Sequence, residues 1–280
     1  MLKIDAHQHC WQFDPVRDSW ITADMSVIRR DFMPADLLPI LQRNDIDGTI
    51  LVQTCQTQDD NLFMLKLAEE NAFIKGVVGW VDLRAENIQD RLQHYKEYYP
   101  KLKGFRHVLQ AEPNEQFMLT KKFKRGISFL NEHGFTYDIL IYPLHLKYAE
   151  TLVAEFPDQK FVVDHLAKPR IKNKEIAEWK RDIEALSKYQ NVHCKVSGML
   201  TEADWYSWRT DDFTPYLDTV FNAFSISRVM YGSDWPVCML AGGYNRALEI
   251  LQLYTSKLSQ HEQELFFGGN AVDFYNLEVN

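Results

Sequence analysis

Residues 136–165 read TYDILIYPLHLKYAETLVAEFPDQKFVVDH, and this stretch carries the pattern that decides the fold. Its first six residues, 136–141, are mostly apolar and predict a strand, and residues 160–163 predict a second one. Between them, apolar side chains recur at every fourth position from Leu144 to Phe156, which predicts a helix over residues 144–155 with these side chains on one face. A strand, a helix and a second strand of these lengths predict a βαβ unit with two parallel strands.

The same alternation extends outward over the whole chain. Strands are predicted over residues 2–6, 48–53, 75–81, 102–106, 136–141, 160–163, 192–196 and 228–231. Helices are predicted over residues 34–43, 60–71, 87–98, 115–132, 144–155, 176–189, 214–224 and 245–258. No glycine-rich dinucleotide loop follows the first strand, which disfavours an open doubly wound sheet. The pattern therefore predicts the α/β class and a (β/α)₈ TIM barrel, with residues 1–280 as a single domain.

Length and composition agree with a globular protein. The chain has 280 residues, of which 46% are hydrophobic and 25% are charged, and its formal net charge is −8. One basic stretch, residues 121–125, is interpreted as the solvated face of a helix, so nucleic-acid binding is not expected. There is no apolar signal core or membrane span, and the four cysteines form no close pair. A cytoplasmic location without disulfide bonds is expected.

Polar residues collect just beyond the predicted strands. His7 and His9 follow the first strand, Arg106 the fourth, His165 the sixth and Asp234 the eighth. In a parallel barrel all of these strand ends open on one face, where the active site is built. We therefore expect these five side chains to converge although they are far apart in sequence.

His7 and His9 are alternate residues at the end of an extended segment. A two-residue period places both imidazoles on one side, at a separation that suits a single metal ion, although two ordinarily hydrogen-bonded histidines are the alternative. Asp234 follows Gly232, which would let the chain leave the strand sharply and point the carboxylate over the barrel axis. That carboxylate could bind a metal and accept a proton from an attacking water, or it could cap the next segment.

Each of the remaining candidates has more than one interpretation. His165 could bind metal, donate to a substrate carbonyl or satisfy a backbone group. Arg106 could hold a carboxylate product or a sugar hydroxyl, or pair with a carboxylate of the barrel. Aromatic side chains near the strand ends are candidates for stacking on a substrate, with core packing as the alternative. The candidate substrate-binding residues are Trp11, Trp80, Tyr142 and Trp235.

Several motifs together resemble the amidohydrolase superfamily. They are IDAHQHCW (residues 4–11), RDFMPADL (30–37), GVVGWVDL (76–83), VVDHLAKP (162–169), CKVSGM (194–199), YGSDWPV (231–237) and FGGNAVDFY (267–275). Their order and spacing resemble the branch that contains sugar-lactone hydrolases. The resemblance covers essentially the whole chain.

This resemblance implies a barrel that opens a lactone, such as L-fuconolactone or L-rhamnonolactone, to its aldonic acid. Asp234 would activate the water, while His7, His9 and His165 surround the carbonyl and Arg106 assists. One divalent ion, with zinc as the first candidate, would be held by His7, His9 and Asp234. The resemblance also implies that the ion could be dispensable, as in metal-independent members of this branch. The chain departs from binuclear members because no lysine or histidine ends the fifth strand and Lys103 precedes the end of the fourth.

Two alternatives stay open at this point. A pyrone-dicarboxylate lactonase or a metal-dependent aromatic-acid decarboxylase of the same superfamily would need cations at the barrel mouth. Arg106, Lys168, Arg170 and Lys195 are available for that purpose. The tryptophans Trp11, Trp80 and Trp235 favour a neutral sugar lactone instead. A non-catalytic barrel that binds a small molecule would leave the histidines and Asp234 without a role. The expected partner is a small-molecule substrate, with neither nucleic acid nor membrane, and a homo-oligomer is left open.

Overall fold

The computed structural model describes residues 2–278, which form a single sheet of eight parallel strands in sequential order. These are β1 (Ile4–Gln8), β2 (Gly48–Val52), β3 (Ile74–Gly79), β4 (Leu102–His107), β5 (Thr136–Ile139), β6 (Phe161–Val163), β7 (Val192–Val196) and β8 (Val229–Tyr231). All neighbours pair in parallel, and the first strand also contacts the last. The predicted (β/α)₈ barrel is confirmed.

Helices follow the strands and cover the outside of the barrel. They are α1 (Pro34–Arg43), α2 (Gln58–Glu70), α3 (Ile88–Tyr98), α4 (Lys121–His133), α5 (Leu146–Glu155), α6 (Ala177–Leu186), α7 (Met199–Glu202), α8 (Thr214–Phe224), α9 (Tyr244–Thr255), α10 (Gln260–Glu264) and α11 (Asn270–Tyr275). A π-helical turn, Leu265–Gly269, links the last two. Within the described residues, no helix is long and apolar enough to cross a membrane.

The barrel closes between β1 and β8 by backbone hydrogen bonds at the carboxyl end of the strands. The Asp234 N–H donates to the carbonyl of His7 at 2.8 Å, and the His9 N–H donates to the carbonyl of Trp235 at 2.7 Å. At the same seam the Asp5 carboxylate accepts from the backbone N–H of Ser233 at 2.8 Å. Closing the barrel therefore also brings His7, His9 and Asp234 together.

The opposite end of the barrel is filled by the end of the chain. Phe274 and Tyr275 of α11 are buried among inward-facing strand residues such as Ile50, Val78 and Met230. The sequence pattern had predicted nothing beyond residue 258, because α10 and α11 are too short to show a clear helical period. This C-terminal segment nevertheless completes the core of the barrel.

Several predicted boundaries are displaced. For example, β5 ends at Ile139 rather than 141, α6 at Leu186 rather than 189, and α9 at Thr255 rather than 258. The first strand lies at Ile4–Gln8 rather than 2–6, because its polar residues face the protein interior and do not mark a loop. The helix predicted over 115–132 begins only at Lys121, after a short 3₁₀ turn. The apolar face predicted for α5 is also displaced: Leu144 lies in the preceding turn and is exposed, and the buried side chains are Leu146, Ala149, Leu152 and Val153.

Candidate active site

Five predicted side chains meet at the carboxyl end of the barrel. His7, His9, Arg106, His165 and Asp234 are all at most 5% exposed. The sequence had placed His7 and Arg106 beyond the first and fourth strands. In the structure they lie within β1 and β4. The register of β1 against β2 shifts between Asp5 and Gln8, so a simple alternation along an ideal strand does not describe how the two histidines meet.

His7, His9 and Asp234 point at one another. The two histidine Nε2 atoms lie 3.2 Å apart. One carboxylate oxygen of Asp234, Oδ1, lies 3.4 Å from Nε2 of His9 and 4.0 Å from Nε2 of His7. Bonds of about 2.0–2.2 Å from one ion could reach three atoms at these separations.

The hydrogen bonds of His9 determine which of its ring nitrogens is free. Nδ1 lies 2.7 Å from the carbonyl oxygen of Val52, a group that can only accept, so Nδ1 carries the proton. In the neutral ring, Nε2 then presents a lone pair to the Asp234 carboxylate. Two lone-pair donors this close repel unless a proton or a cation lies between them. The donor set of His7, His9 and Asp234 therefore fits a divalent ion.

His165 sits on an unusual backbone. Residues His165, Leu166, Ala167 and Lys168 all have left-handed φ values, from 51° to 57°. For L-residues this conformation costs roughly 1–2 kcal/mol each, so surrounding contacts must hold it. One of them is a 2.7 Å hydrogen bond from the Trp179 indole N–H to the Leu166 carbonyl. A tight turn this strained at the end of β6 is typical of a functional site.

The imidazole of His165 is held from both ends. Its Nδ1 lies 2.9 Å from the Ser197 hydroxyl, and its Nε2 lies 3.9 Å from Oδ1 of Asp234. A Cβ at Gly198 would come within 2.6 Å of the ring, so only glycine fits beside it. Burial lowers the pKa of His165 to about 4, although Asp234 and Asp164 raise it. The ring is therefore neutral near pH 7 and can donate or accept one hydrogen bond.

Asp234 is the point where these groups converge. Its own φ is 57°, a left-handed value that aspartate tolerates better than most residues. Burial raises the pKa of its carboxyl, but His165 and His9 outweigh burial and lower the pKa overall. Gly232 has a different role from the predicted one, because a Cβ there would meet the Cβ of His7 at 2.8 Å. Because Gly232 has no Cβ, β8 can approach β1 closely.

The guanidinium group of Arg106 is buried and binds other protein groups rather than facing the open mouth of the barrel. One guanidinium nitrogen donates to Asp164 at 3.0 Å and lies 3.3 Å from Nε2 of His7, and the other donates to the carbonyl of Gln53 at 2.5 Å. Of the two interpretations, pairing with a carboxylate of the barrel is what the structure describes. Arg106 stays close enough to His7 to act on a group bound there.

A buried charged network beneath His7 was missed by the sequence analysis. Lys195 of β7 lies 2.5 Å from Asp138 of β5, 3.1 Å from Asp164 and 3.1 Å from Nδ1 of His7. The Tyr275 hydroxyl of α11 donates to Asp138 at 2.9–3.0 Å. All of these side chains are buried. The signal in the sequence was a charged residue inside a mostly apolar strand, Asp138 in β5 and Lys195 in β7. Burying such a charge is costly unless it is paired.

The predicted aromatic residues occupy different environments. Trp11 and Trp235 are buried, and Trp11 donates to the carbonyl of Arg30. Trp80 is partly exposed and donates to Nδ1 of His107 at 3.2 Å. Tyr142 is 40% exposed at the mouth. Tyr142 and Trp80 therefore have ring surface available to a ligand, whereas the packing of Trp11 and Trp235 resembles that of core residues.

The evidence for a second metal site is weak. His7, Asp164 and His165 form another group with closely spaced ligand atoms. Asp164, however, already faces Arg106 and Lys195. Burial raises the pKa of its carboxyl, but these two cations and His7 outweigh burial, so the pKa lies well below the usual range. Lys103 points to the opposite end of the barrel and donates to the carbonyl of Asn276. That a single ion is bound stays a prediction.

Known proteins resemble this chain over almost its full length. The family model described as Amidohydrolase matches residues 4–277. An L-fucono-1,5-lactonase from Burkholderia multivorans is 35% identical, over 99% of this chain and 96% of the relative, and one from Burkholderia ambifaria is 33% identical over the same shares. A crystal structure of an amidohydrolase from Burkholderia multivorans with bound Zn superimposes with a TM-score of 0.95 at 35% identity, over 99% of this chain and 100% of that chain. With the same barrel and a buried His and Asp cluster at its carboxyl end, the chain belongs to the amidohydrolase family.

Proposed function

We propose that this chain hydrolyses a neutral sugar lactone, of the L-fuconolactone or L-rhamnonolactone type, to the corresponding aldonic acid. The observation that carries the proposal is the position of Asp234, whose Oδ1 lies 3.4–4.0 Å from the Nε2 atoms of three histidines. A carboxylate surrounded in this way is poised to accept a proton from a small molecule bound among the rings. The L-fucono-1,5-lactonases at 33–35% identity support the lactone as substrate class.

Asp234, His165 and Arg106 would have different roles in the reaction. The lowered pKa of Asp234 keeps it ionised near neutral pH, so it can act as general base toward water. His165, which is neutral, can donate a hydrogen bond to the carbonyl oxygen as negative charge develops there. Arg106 lies 3.3 Å from Nε2 of His7 and contributes positive charge there while it stays paired with Asp164. A lactone releases an alkoxide more readily than an amide releases an amine, so lactone opening needs less assistance than amide hydrolysis.

A divalent ion is the proposed cofactor, with zinc as the first candidate. His7, His9 and Asp234 would hold it, because their ligand atoms converge and His9 presents its unprotonated nitrogen. A related amidohydrolase structure contains bound Zn. When bound, the ion would supply a Lewis acid that polarises the carbonyl.

The charges at the mouth disfavour a dicarboxylate or aromatic-acid substrate. Among residues 2–278, each cation that such a substrate would need already faces a carboxylate. The pairs are Arg106 with Asp164, Lys195 with Asp138, Arg170 with Glu175, and Lys168 with Glu202. A second or third substrate carboxylate would have to compete with these partners, whereas a neutral lactone would not.

A direct test is a screen of aldonolactones with a pH indicator that reports acid release. Turnover of five- or six-membered sugar lactones is expected, with little activity on amides or phosphate esters. Aromatic acids serve as the comparison, with carbon dioxide release as the readout. Decarboxylation faster than lactone opening would replace this proposal with the decarboxylase alternative.

A further inference from the structure

The left-handed turn after β6 also places a lysine at the mouth. Its last residue, Lys168, has φ 51°, and its N–H donates to the carbonyl of His165 at 2.7 Å. The chain therefore reverses within four residues, which keeps the backbone of Lys168 close to that of His165. Leu166 and Ala167 are completely buried, which anchors the turn and leaves its two polar ends at the site.

Lys168 faces a carboxylate at a distance that leaves both groups incompletely bonded. Its Nζ lies 3.9 Å from Oε1 of Glu202, the last residue of α7. This separation holds an ion pair but exceeds a hydrogen bond, so both atoms can still bind a third group. The two side chains are 20% and 22% exposed, which makes them reachable from the mouth.

The pair lies next to the reacting groups. Burial raises the pKa of the Glu202 carboxyl, and the nearby Asp234 carboxylate raises it further, although Lys168 lowers it. The ring of Tyr142 completes the cluster, with its centre 5.7 Å from Nζ of Lys168. Lys168 follows β6 and Glu202 follows β7, the strand next to β8, so one cation, one anion and an accessible aromatic ring lie together at the same end of the barrel as Asp234.

We propose that Lys168 and Glu202, together with the ring of Tyr142, bind the hydroxyl groups of the lactone and thereby select polyhydroxylated neutral substrates. This inference rests on the proposed lactone hydrolysis. A hydroxyl can accept from the ammonium group and a neighbouring hydroxyl can donate to the carboxylate, so both charges keep a partner. The tyrosine ring offers a flat apolar surface to the C–H face of a sugar. A carboxylate in the same place would be repelled by Glu202.

The test compares two lactones of equal ring size, the sugar lactone found by the screen and an unsubstituted one such as δ-valerolactone. In Lys168→Met and Glu202→Gln, kcat/KM for the sugar lactone should fall about 10–100-fold, as expected for a lost hydrogen bond to a charged group. The loss should appear mainly in KM. For the unsubstituted lactone the loss should be at least tenfold smaller, measured as turnover or as competitive inhibition where turnover is slow.

A matched control is available on the outer helices. Lys124 and Glu155 form an ion pair at 2.7 Å between α4 and α5, so Lys124→Met and Glu155→Gln make the same chemical changes away from the mouth. Both controls should keep the native ratio of the two rates.

Equal losses on both lactones in the Lys168 and Glu202 variants, or no loss on either, would overturn the hydroxyl-binding role. A native enzyme that opens δ-valerolactone but no sugar lactone would overturn both the hydroxyl-binding role and the sugar as substrate, and only lactone hydrolysis would stand. A native enzyme inactive on both would remove the proposed function itself.

Discussion

Asp234 combines three local features that are rare together. Its backbone is left-handed, its carboxylate is buried, and three histidine nitrogens lie within 4.0 Å of one oxygen. A buried carboxylate without a function would more simply be replaced by an apolar side chain, because burying charge is costly. The residue is therefore the first target for mutation.

Replacing Asp234 with Asn should reduce kcat by about 10²–10⁴-fold, the usual contribution of a general base. Asn keeps the size of the side chain and tolerates the left-handed φ, so folding should be retained. KM should change little, because the base acts mainly in the transition state. Steady-state kinetics on the lactone identified by the screen, with circular dichroism to confirm folding, checks this.

The control is Asp59→Asn, at an exposed position in the first turn of α2, which should leave kcat unchanged. An Asp234→Asn enzyme within a few-fold of native activity would show that another group activates the water, and His165 would become the candidate.

At the scale of elements, α11 contributes to the site although it packs at the opposite end of the barrel. Its Tyr275 hydroxyl reaches Asp138, which pairs with Lys195, which in turn contacts His7. The chain of contacts passes through the barrel interior from one end toward the other. A helix that the sequence pattern did not indicate therefore supports the charged network under the candidate metal site.

Tyr275→Phe should lower the free energy of unfolding by about 1.5–3 kcal/mol, the range for a hydrogen bond to a charged group. The ring is kept, so packing in the core changes little, but the buried Asp138 carboxylate loses one of its donors. Urea denaturation of native and variant protein measures the difference.

Tyr254→Phe is the matched comparison, since Tyr254 also donates to an aspartate, Asp218, whose side chain is 48% exposed. Water can replace that hydrogen bond, so the expected loss is below about 1 kcal/mol. Equal losses in the two variants would show that burial of Asp138 has no special energetic weight.

At the scale of the whole molecule, the candidate metal ligands span the seam that closes the barrel. His7 and His9 belong to the first strand segment and Asp234 follows the last. An ion bound to all three would tie the two ends of the sheet together. Its effect should therefore appear in the stability of the entire barrel as well as in activity.

Metal removal with EDTA should lower the melting temperature, and added Zn²⁺ should restore it. At a free ion concentration 100 times the Kd, binding contributes about 2.7 kcal/mol, which corresponds to roughly 5 °C for a domain of this size. The double variant His7→Ala/His9→Ala should fold, contain no metal and show no shift with Zn²⁺. Calorimetry and elemental analysis provide the two readouts.

The comparison variant replaces two exposed histidines, His94 and His261, with Ala and should keep both the metal and the shift. Metal at full stoichiometry in the His7/His9 double variant would contradict this assignment of the ligands.

The alternation of strands and helices in residues 136–165, repeated along the chain, was enough to predict the barrel, although the predicted buried face of α5 was displaced. The same reading placed His165 and Asp234 after strands, and parallel strands present such residues on one face whatever the details of packing. The motif resemblance to amidohydrolases agrees with the family found by comparison. Fold and the main candidates were thus within reach of the sequence.

Only the tertiary structure decided what each polar group faces. Local patterns could not show that Arg106 is held by Asp164, that Lys195 is enclosed by two carboxylates, or that Tyr275 completes that network from the far end of the chain. They also could not show the left-handed turn from His165 to Lys168, since ordinary residues avoid it unless distant contacts such as Trp179 hold it. Periodicity reports which side of an element is buried, whereas pairing of charges and strained backbone depend on residues that meet only when the barrel closes.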